Sequence, residues 1–269
     1  MRNDLPIGVF DSGLGGMTVL REIHRELPAE STVYLGDTAR VPYGIRSDET
    51  VRKYCAESVA FLKSRGIKLL VVACNTASSI ALESIRAMID TPVVGVIEPG
   101  ARAAVASGAA SVAVIGTDAT IKSGAYQRAI TMLNPDAEVR CKPCPLFVPL
   151  AEEGWVDDDV AELVARRYLE ELRGTGALVL GCTHYPLFRG VIGRVMGPDT
   201  LLVDSAVETA LEVRRILAAD GMLNRGEARP SREYFVTDKP RKFALVVERF
   251  LGRPVENLSK IQLQTEASG

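Results

Sequence analysis

The sequence predicts an α/β protein made of two related α/β units with mainly parallel sheets, and three observations carry that prediction. Short apolar runs of strand length alternate with amphipathic helical patterns along the chain. Most of these runs are continuous in Val, Ile and Leu, as expected for strands buried on both faces of a parallel sheet. Two of them read as copies of one another: Leu69-Leu70-Val71-Val72-Ala73-Cys74-Asn75-Thr76 and Ala177-Leu178-Val179-Leu180-Gly181-Cys182-Thr183-His184. Their surroundings repeat as well. Ile7-Gly8-Val9-Phe10-Asp11-Ser12 ahead of the first has a counterpart in Val112-Ala113-Val114-Ile115-Gly116-Thr117 ahead of the second. Each cysteine is followed by a helical stretch and a further apolar run, 93–97 in one unit and 201–204 in the other.

Taken in order, strands are expected at 7–10, 32–35, 69–73, 93–97, 112–116, 139–141, 177–181 and 201–204. The glycine-rich segment 11–16 joins the first strand to a helix on which His24, beside Leu20, Ile23 and Leu27, reads as a surface or packing residue. Pro42-Tyr43-Gly44 is a rigid turn after the second strand. The next helix has Ser47 as N-cap and Asp48 and Glu49 in its first turn. It places Val51, Tyr54, Cys55, Val59 and Leu62 on one face and ends at Gly66. Residues 101–110 form an Ala-rich helical piece. Asp157–Asp159 open another helix, expected to bury Val160, Leu163, Val164, Tyr168 and Leu172 and to stop near Gly174. The tail 265–269 is expected to fray.

Composition narrows the function classes. A chain of 269 residues, 47% hydrophobic, suits one large domain or two of ordinary size. A net charge of -2 gives no basis for a nucleic-acid or membrane-surface partner. The first residues lack the apolar core of a signal peptide, and no apolar run approaches the roughly 18 residues of a membrane helix. A cytoplasmic location is therefore expected, where the five cysteines stay reduced. A homodimer through surface helices is compatible with the composition.

In open parallel sheets ligands bind beyond the carboxyl ends of the strands. Asp11, Asp37, Cys74, Glu98, Thr117, Cys182 and Asp204 all fall at or just past such ends. The 11–16 segment reads either as a tight strand–helix turn or as a cradle for a small carboxylate or phosphate. Cys55 reads as a core residue, and Cys141 and Cys144 as structural, since no second pair accompanies them. Cys74 and Cys182 stand apart through the repeat. Two thiols at matching places in two units can face a small substrate from opposite sides, as moving a proton between the two faces of a carbon requires. His184, two residues past Cys182, lies on the same side of an extended backbone and can exchange protons with it. Glu152 and Glu153 read either as solvated acids or as a carboxylate supporting that side.

These stretches, together with Tyr34-Leu35-Gly36-Asp37, Val41-Pro42-Tyr43-Gly44, Phe147-Val148-Pro149-Leu150-Ala151-Glu152 and Leu180-Gly181-Cys182-Thr183-His184-Tyr185-Pro186, resemble the cofactor-independent aspartate/glutamate racemase family, its glutamate-specific members in particular. The resemblance spans nearly the whole chain. It implies two α/β domains in a pseudo-twofold arrangement, with the active site in the interdomain cleft. Their expected extents are 1–97 plus 208–264, completed by C-terminal helices, and 98–207. It implies interconversion of L- and D-glutamate without pyridoxal phosphate or metal, feeding peptidoglycan. By position Cys74 and Cys182 would be the acid/base pair, with Asp11 assisting the first and His184 and Glu152 the second. Asp11, Ser12, Pro42, Tyr43, Gly44, Asn75, Thr76, Thr117, Thr120, Thr183 and His184 would hold the substrate.

Three other readings fit the residues less fully. A racemase for aspartate would differ in pocket shape. A Cys–His hydrolase or transferase would use Cys182 and His184 for covalent chemistry and give Cys74 no role. A two-lobed binding protein would bind a small molecule without exchanging its α-proton.

Overall fold

The apolar runs become the strands of two all-parallel sheets in the computed structural model, which describes residues 2–224, 226, 229–239, 243–255 and 258–263. The tail 265–269 lies outside the described residues. In chain order the strands are β1 (Ile7–Asp11), β2 (Thr32–Gly36), β3 (Leu69–Val72), β4 (Val93–Gly95), β5 (Ser111–Gly116), β6 (Glu138–Pro143), β7 (Ala177–Gly181), β8 (Leu201–Asp204), β9 (Arg232–Val236) and β10 (Leu258–Lys260). The helices between them are α1 (Met17–Glu26), α2 (Asp48–Ser64), α3 (Asn75–Arg86), α4 (Ile97–Ala106), α5 (Asp118–Lys122), α6 (Ala125–Leu133), α7 (Phe147–Glu153), α8 (Asp159–Leu169), α9 (Arg189–Met196), α10 (Ser205–Ala219) and α11 (Phe243–Leu251).

The first sheet has the order β10-β9-β2-β1-β3-β4 and the second β6-β5-β7-β8. The order β2-β1-β3-β4 thus recurs as β6-β5-β7-β8, and the register recurs with it. Phe10 lies opposite Val72, two residues before Cys74, and Ile115 lies opposite Leu180, two residues before Cys182. The duplication read from the sequence is a duplication of topology and of register.

Each sheet buries both faces, which is why its strands are continuous in apolar residues. Phe10, Leu70 and Val72 pack with Val51, Cys55, Val59 and Leu62 of α2 and with α3. Val112, Val114 and Val179 pack with Ala101 and Ala104 of α4 and with Tyr126 and Ile130 of α6. The opposite faces share one apolar cluster that crosses from Ile7 and Val9 through α1 and α10 to Ile115, Leu178 and Leu180. Helix α2 starts as expected, with the Ser47 hydroxyl accepting from the Thr50 N–H, and the chain leaves it through Gly66 at φ +68.

The structure departs from expectation in three places. The resemblance implies C-terminal helices after about residue 208, and beside them β9 and β10, which the sequence reading did not include, extend the first sheet. Arg232-Glu233-Tyr234-Phe235-Val236 mixes charge with aromatics because it lies toward the sheet edge, so no continuous apolar run marks it. The strand expected at 93–97 ends at Gly95, and Ile97 already opens α4. In α8, Val160 and Leu163 are exposed, at 45% and 69%, while Ala161, Ala165 and Leu169 face inward. Asp158 Oδ1 accepts from the Ala161 N–H at 2.8 Å and sets that phase. Two alanines at i, i+4 let α8 approach its neighbours closely, so the small residues rather than the large ones mark its inner face. No helix among the described residues is long and apolar enough to cross a membrane.

Candidate active site

In a parallel sheet of order 2-1-3, the chain leaves the central strand in opposite directions on its two sides, and a crevice opens there at the carboxyl ends. Here that happens twice, between β1 and β3 and between β5 and β7. Asp11 and Cys74 flank the first crevice, and Thr117 and Cys182 the second. The two are directly linked: Thr76 Oγ1 lies 3.0 Å from Thr117 Oγ1, the Tyr126 hydroxyl donates to Asn75 Oδ1 at 2.8 Å, and Thr18 Oγ1 donates to the Thr183 carbonyl at 3.0 Å. Both thiols sit in the closed seam between the sheets, each only 6% exposed.

Cys74 is the N-cap of α3. Its sulfur accepts from the Ala77 N–H at 3.5 Å and lies 3.4 Å from Ser12 Oγ. A helix N-terminus favours a thiolate, but burial outweighs it. Burial, and then the nearby Asp11 carboxylate, push the Cys74 thiol up to about 12. Asp11 is itself buried and shifted upward by burial, against the hydrogen bonds of the Gly13, Gly16 and Ser12 amides. Gly13 N–H reaches Asp11 Oδ2 at 2.9 Å. The glycine-rich turn therefore cradles an anion, and that anion is the chain's own Asp11. Asp11 Oδ1 and Asn75 Nδ2 are buried without a hydrogen-bond partner among the described residues.

On the other side the Cys182 sulfur lies 3.8 Å from His184 Nδ1, and His184 Nε2 lies 3.4 Å from Glu152 Oε1. Burial alone would drive the imidazole pKa down. The hydrogen bonds and charges of Cys182 and Glu152 overcome it and raise His184 to about 10. The ring stands edge-on to Phe250, with centroids 5.0 Å apart. Gly15 closes against the same group: a Cβ there would fall 2.3 Å from Thr183 Oγ1 and 2.6 Å from His184 Cε1.

The remaining expected residues divide. Thr76, Thr117 and Thr120 bring three hydroxyls within 3.3 Å of one another across the seam. Gly44 approaches the Thr117 side chain, so the turn at 42–44 reaches the second sheet's crevice. Pro42 is exposed on that turn, whereas Tyr43 is fully buried, its hydroxyl donating to Asp37 Oδ2 at 2.5 Å. The Tyr43 side chain anchors the turn, leaving the backbone of 43–44 to face the site. Asp37 also receives the Arg40 Nε–H at 2.6 Å and the Thr237 hydroxyl at 2.8 Å. Glu98 lies away from the site in an ion pair with Arg86, and Asp204 caps α10 through the Ala206 N–H. Cys55, Cys141 and Cys144 are free thiols, Cys55 and Cys144 buried in the apolar clusters that also hold Cys74 and Cys182, and Cys141 packed against the second sheet's cluster. His24 is a packing residue, its Nε2 2.9 Å from Thr32 Oγ1, and burial together with Arg232 and Arg253 lowers it to about 3. Among the described residues no group of three His, Cys, Asp or Glu side chains is placed to hold a metal ion. The sequence reading misses Thr18, Tyr126, Arg249 and Phe250, which lie inside helices or far along the chain from the groups they touch.

Two repeated sheets thus meet at two crevices, each holding a buried thiol with an ionisable neighbour, Asp11 near Cys74 and His184 beside Cys182. Residues 7–213 match the family model Asp/Glu/Hydantoin racemase, and the chain belongs to that family. It is 54% identical to a glutamate racemase of Geobacter metallireducens over 97% of each chain. Among solved structures, it is similar to glutamate racemase from Francisella tularensis in complex with D-glutamate, at 38% identity and a TM-score of 0.92 over 98% of this chain and 99% of that one. It is likewise similar to glutamate racemase from Thermus thermophilus in complex with β-chloro-D-alanine, at 50% identity and a TM-score of 0.89 over 97% of this chain and 98% of that one.

Proposed function

We propose that this protein interconverts L- and D-glutamate by two-base proton transfer at the α-carbon, Cys74 serving one face and Cys182 the other, and that the D-glutamate supplies peptidoglycan synthesis. The observation that carries this reading is the equivalent placement of the two thiols at paired crevices, Cys74 against Ser12 with the Asp11 carboxylate nearby and Cys182 against His184. Removing the α-proton flattens the carbon. Returning a proton to the same face regenerates the starting enantiomer, and a second donor on the opposite face inverts it. With its thiol raised to about 12, Cys74 carries a proton at neutral pH and stands ready as the donor on its face. His184, raised to about 10, holds a proton beside the Cys182 sulfur and passes it to and fro as Cys182 changes role.

The α-proton of an amino acid is weakly acidic, so preorganised donors must stabilise the charge that develops. The unpartnered Asn75 Nδ2–H and the hydroxyls of Thr76, Thr117 and Thr183 suit a carboxylate, and the unpartnered Asp11 Oδ1 suits the ammonium group. The closed seam excludes water and strengthens each of these contacts.

The test is proton NMR of the purified protein with L-glutamate in deuterated water, with a chiral assay alongside. Loss of the α-proton signal together with appearance of D-glutamate is the expected outcome. Folded protein that exchanges no α-proton would overturn the reading.

A further inference from the structure

We infer that Arg249 and Phe250, consecutive residues of α11, are positioning residues for the proton relay beside Cys182: Arg249 fixes the helix end that carries Glu152, and Phe250 fixes the ring of His184. Glu152 sits in the last turn of α7, where the helix's final carbonyls run short of backbone donors and the Ala151 carbonyl receives the long 3.2 Å bond of the capping Gly154 N–H. Arg249 reaches across from α11 and donates through Nη1 to the carbonyls of Ala151 at 3.0 Å and Glu152 at 2.7 Å. Its guanidinium lies so close over Gly154, which leaves α7 at φ +90, that a Cβ there would come within 2.5 Å of Cζ. The next residue, Phe250, is wholly buried and meets the His184 ring at an interplanar angle of 80°. Arg21 Nη1 in turn holds the Phe250 carbonyl at 3.4 Å.

The arrangement matters because the Glu152 carboxylate is itself weakly restrained. Its side chain is 47% exposed and touches His184 at 3.4 Å, so its aim depends on where the end of α7 is held. Both halves of the Glu152–His184 contact are thus set by two adjacent residues far along the chain, beyond the 7–213 segment that defines the family. The groups facing His184 are Cys182, Glu152 and Asp11, with the Arg249 guanidinium behind the Glu152 backbone.

The experiment compares wild type with Arg249→Ala, Arg249→Lys and Phe250→Leu. The chain has two histidines, so ring-nitrogen NMR resolves His184 and leaves His24 as an internal control. In Arg249→Ala the His184 pKa should fall from about 10 toward 6.5 while His24 stays put. Removing a nearby cation would by itself raise it, so a fall reports displacement of Glu152. Arg249→Lys, which keeps a donor for the two carbonyls, should restore part of the shift.

The kinetic arm, which alone rests on the proposed chemistry, uses α-deuterated L- and D-glutamate. With the Cys182 side slowed, the substrate isotope effect should rise in one direction of turnover and fall in the other. Turnover should drop by up to about 100-fold in Arg249→Ala. Phe250→Leu should change the isotope effects in the same sense. Variants with a lowered melting temperature but wild-type His184 titration and isotope effects would overturn the inference. A wild type inactive on glutamate would instead overturn the proposed function, and the titration would still decide the role of Arg249.

Discussion

Gly15 carries as much of the site as any side chain, because the absence of a Cβ is what lets Thr183 and His184 close against the first sheet's turn. Gly15→Ala should cost about 1–3 kcal/mol by overpacking, read by denaturant unfolding, and should reduce turnover more than the stability loss explains. Full activity in that variant would mean that the His184 position is not critical. The thiols make a sharper claim. Cys74→Ser and Cys182→Ser should each lower racemisation by about 100-fold or more, since each removes the proton donor for one face. A chiral assay showing wild-type turnover in either variant would refute the two-base scheme. At this scale the sequence was informative where a residue ends a strand. Asp11, Cys74 and Cys182 are legible because strand ends meet ligands. Which amides Asp11 itself occupies was not legible, since the glycine pattern is the same whether the bound carboxylate is internal or external.

Among the elements, the turn at 42–44 shows how a loop is held without being part of the core. Tyr43 and Arg40 converge on Asp37, whose other oxygen receives Thr237 from the segment after β9. The C-terminal strand that the sequence did not announce therefore helps to brace this turn. Tyr43→Phe removes one hydrogen bond to a buried carboxylate and should cost about 1.5–3 kcal/mol. On the proposed role of this turn in holding substrate, the KM for glutamate should rise more than kcat falls. Steady-state kinetics with the reverse pattern would place the Tyr43 hydroxyl in the chemical step. Helix α8 carries a complementary lesson: period alone finds the helix, but the inner face is chosen by Ala161 and Ala165, whose small size permits close packing. Arg249 and Phe250 were beyond the reach of pattern reading for a related reason, since their partners in α7 and after β7 share no period with them.

For the whole molecule, the two histidines give stability opposite pH dependences. His184 is raised from 6.5 to about 10 in the folded state, so the stability it adds is complete below about 6.5 and is lost as pH climbs toward 10. His24 is lowered from 6.5 to about 3, so its contribution is present above about 6.5 and is lost as pH falls toward 3. Thermal unfolding of wild type and His184→Gln should therefore converge between neutral pH and pH 10. A gap that widens with pH would contradict the charged His184–Glu152 pair. The overall architecture was readable because the duplication repeats strand order and register together, which leaves a repeated apolar pattern. The seam between the halves was less readable, since Thr18, Tyr126 and the threonine hydroxyls meet only once both units have folded.

The repeated sheets are built from L-residues, so the two halves can be brought into correspondence by rotation but never by reflection. Enantiomers are related by reflection. The two halves therefore cannot offer L- and D-glutamate mirror-image surroundings, and residues such as Asp11 and Gly116, at matching register, differ in any case. A racemase of this construction must treat its two substrates unequally in KM and in kcat. Yet the equilibrium constant between mirror images in an achiral solvent is one, which forces the two ratios kcat/KM to agree. Handedness is thus tolerated in every elementary step and cancelled only in the sum.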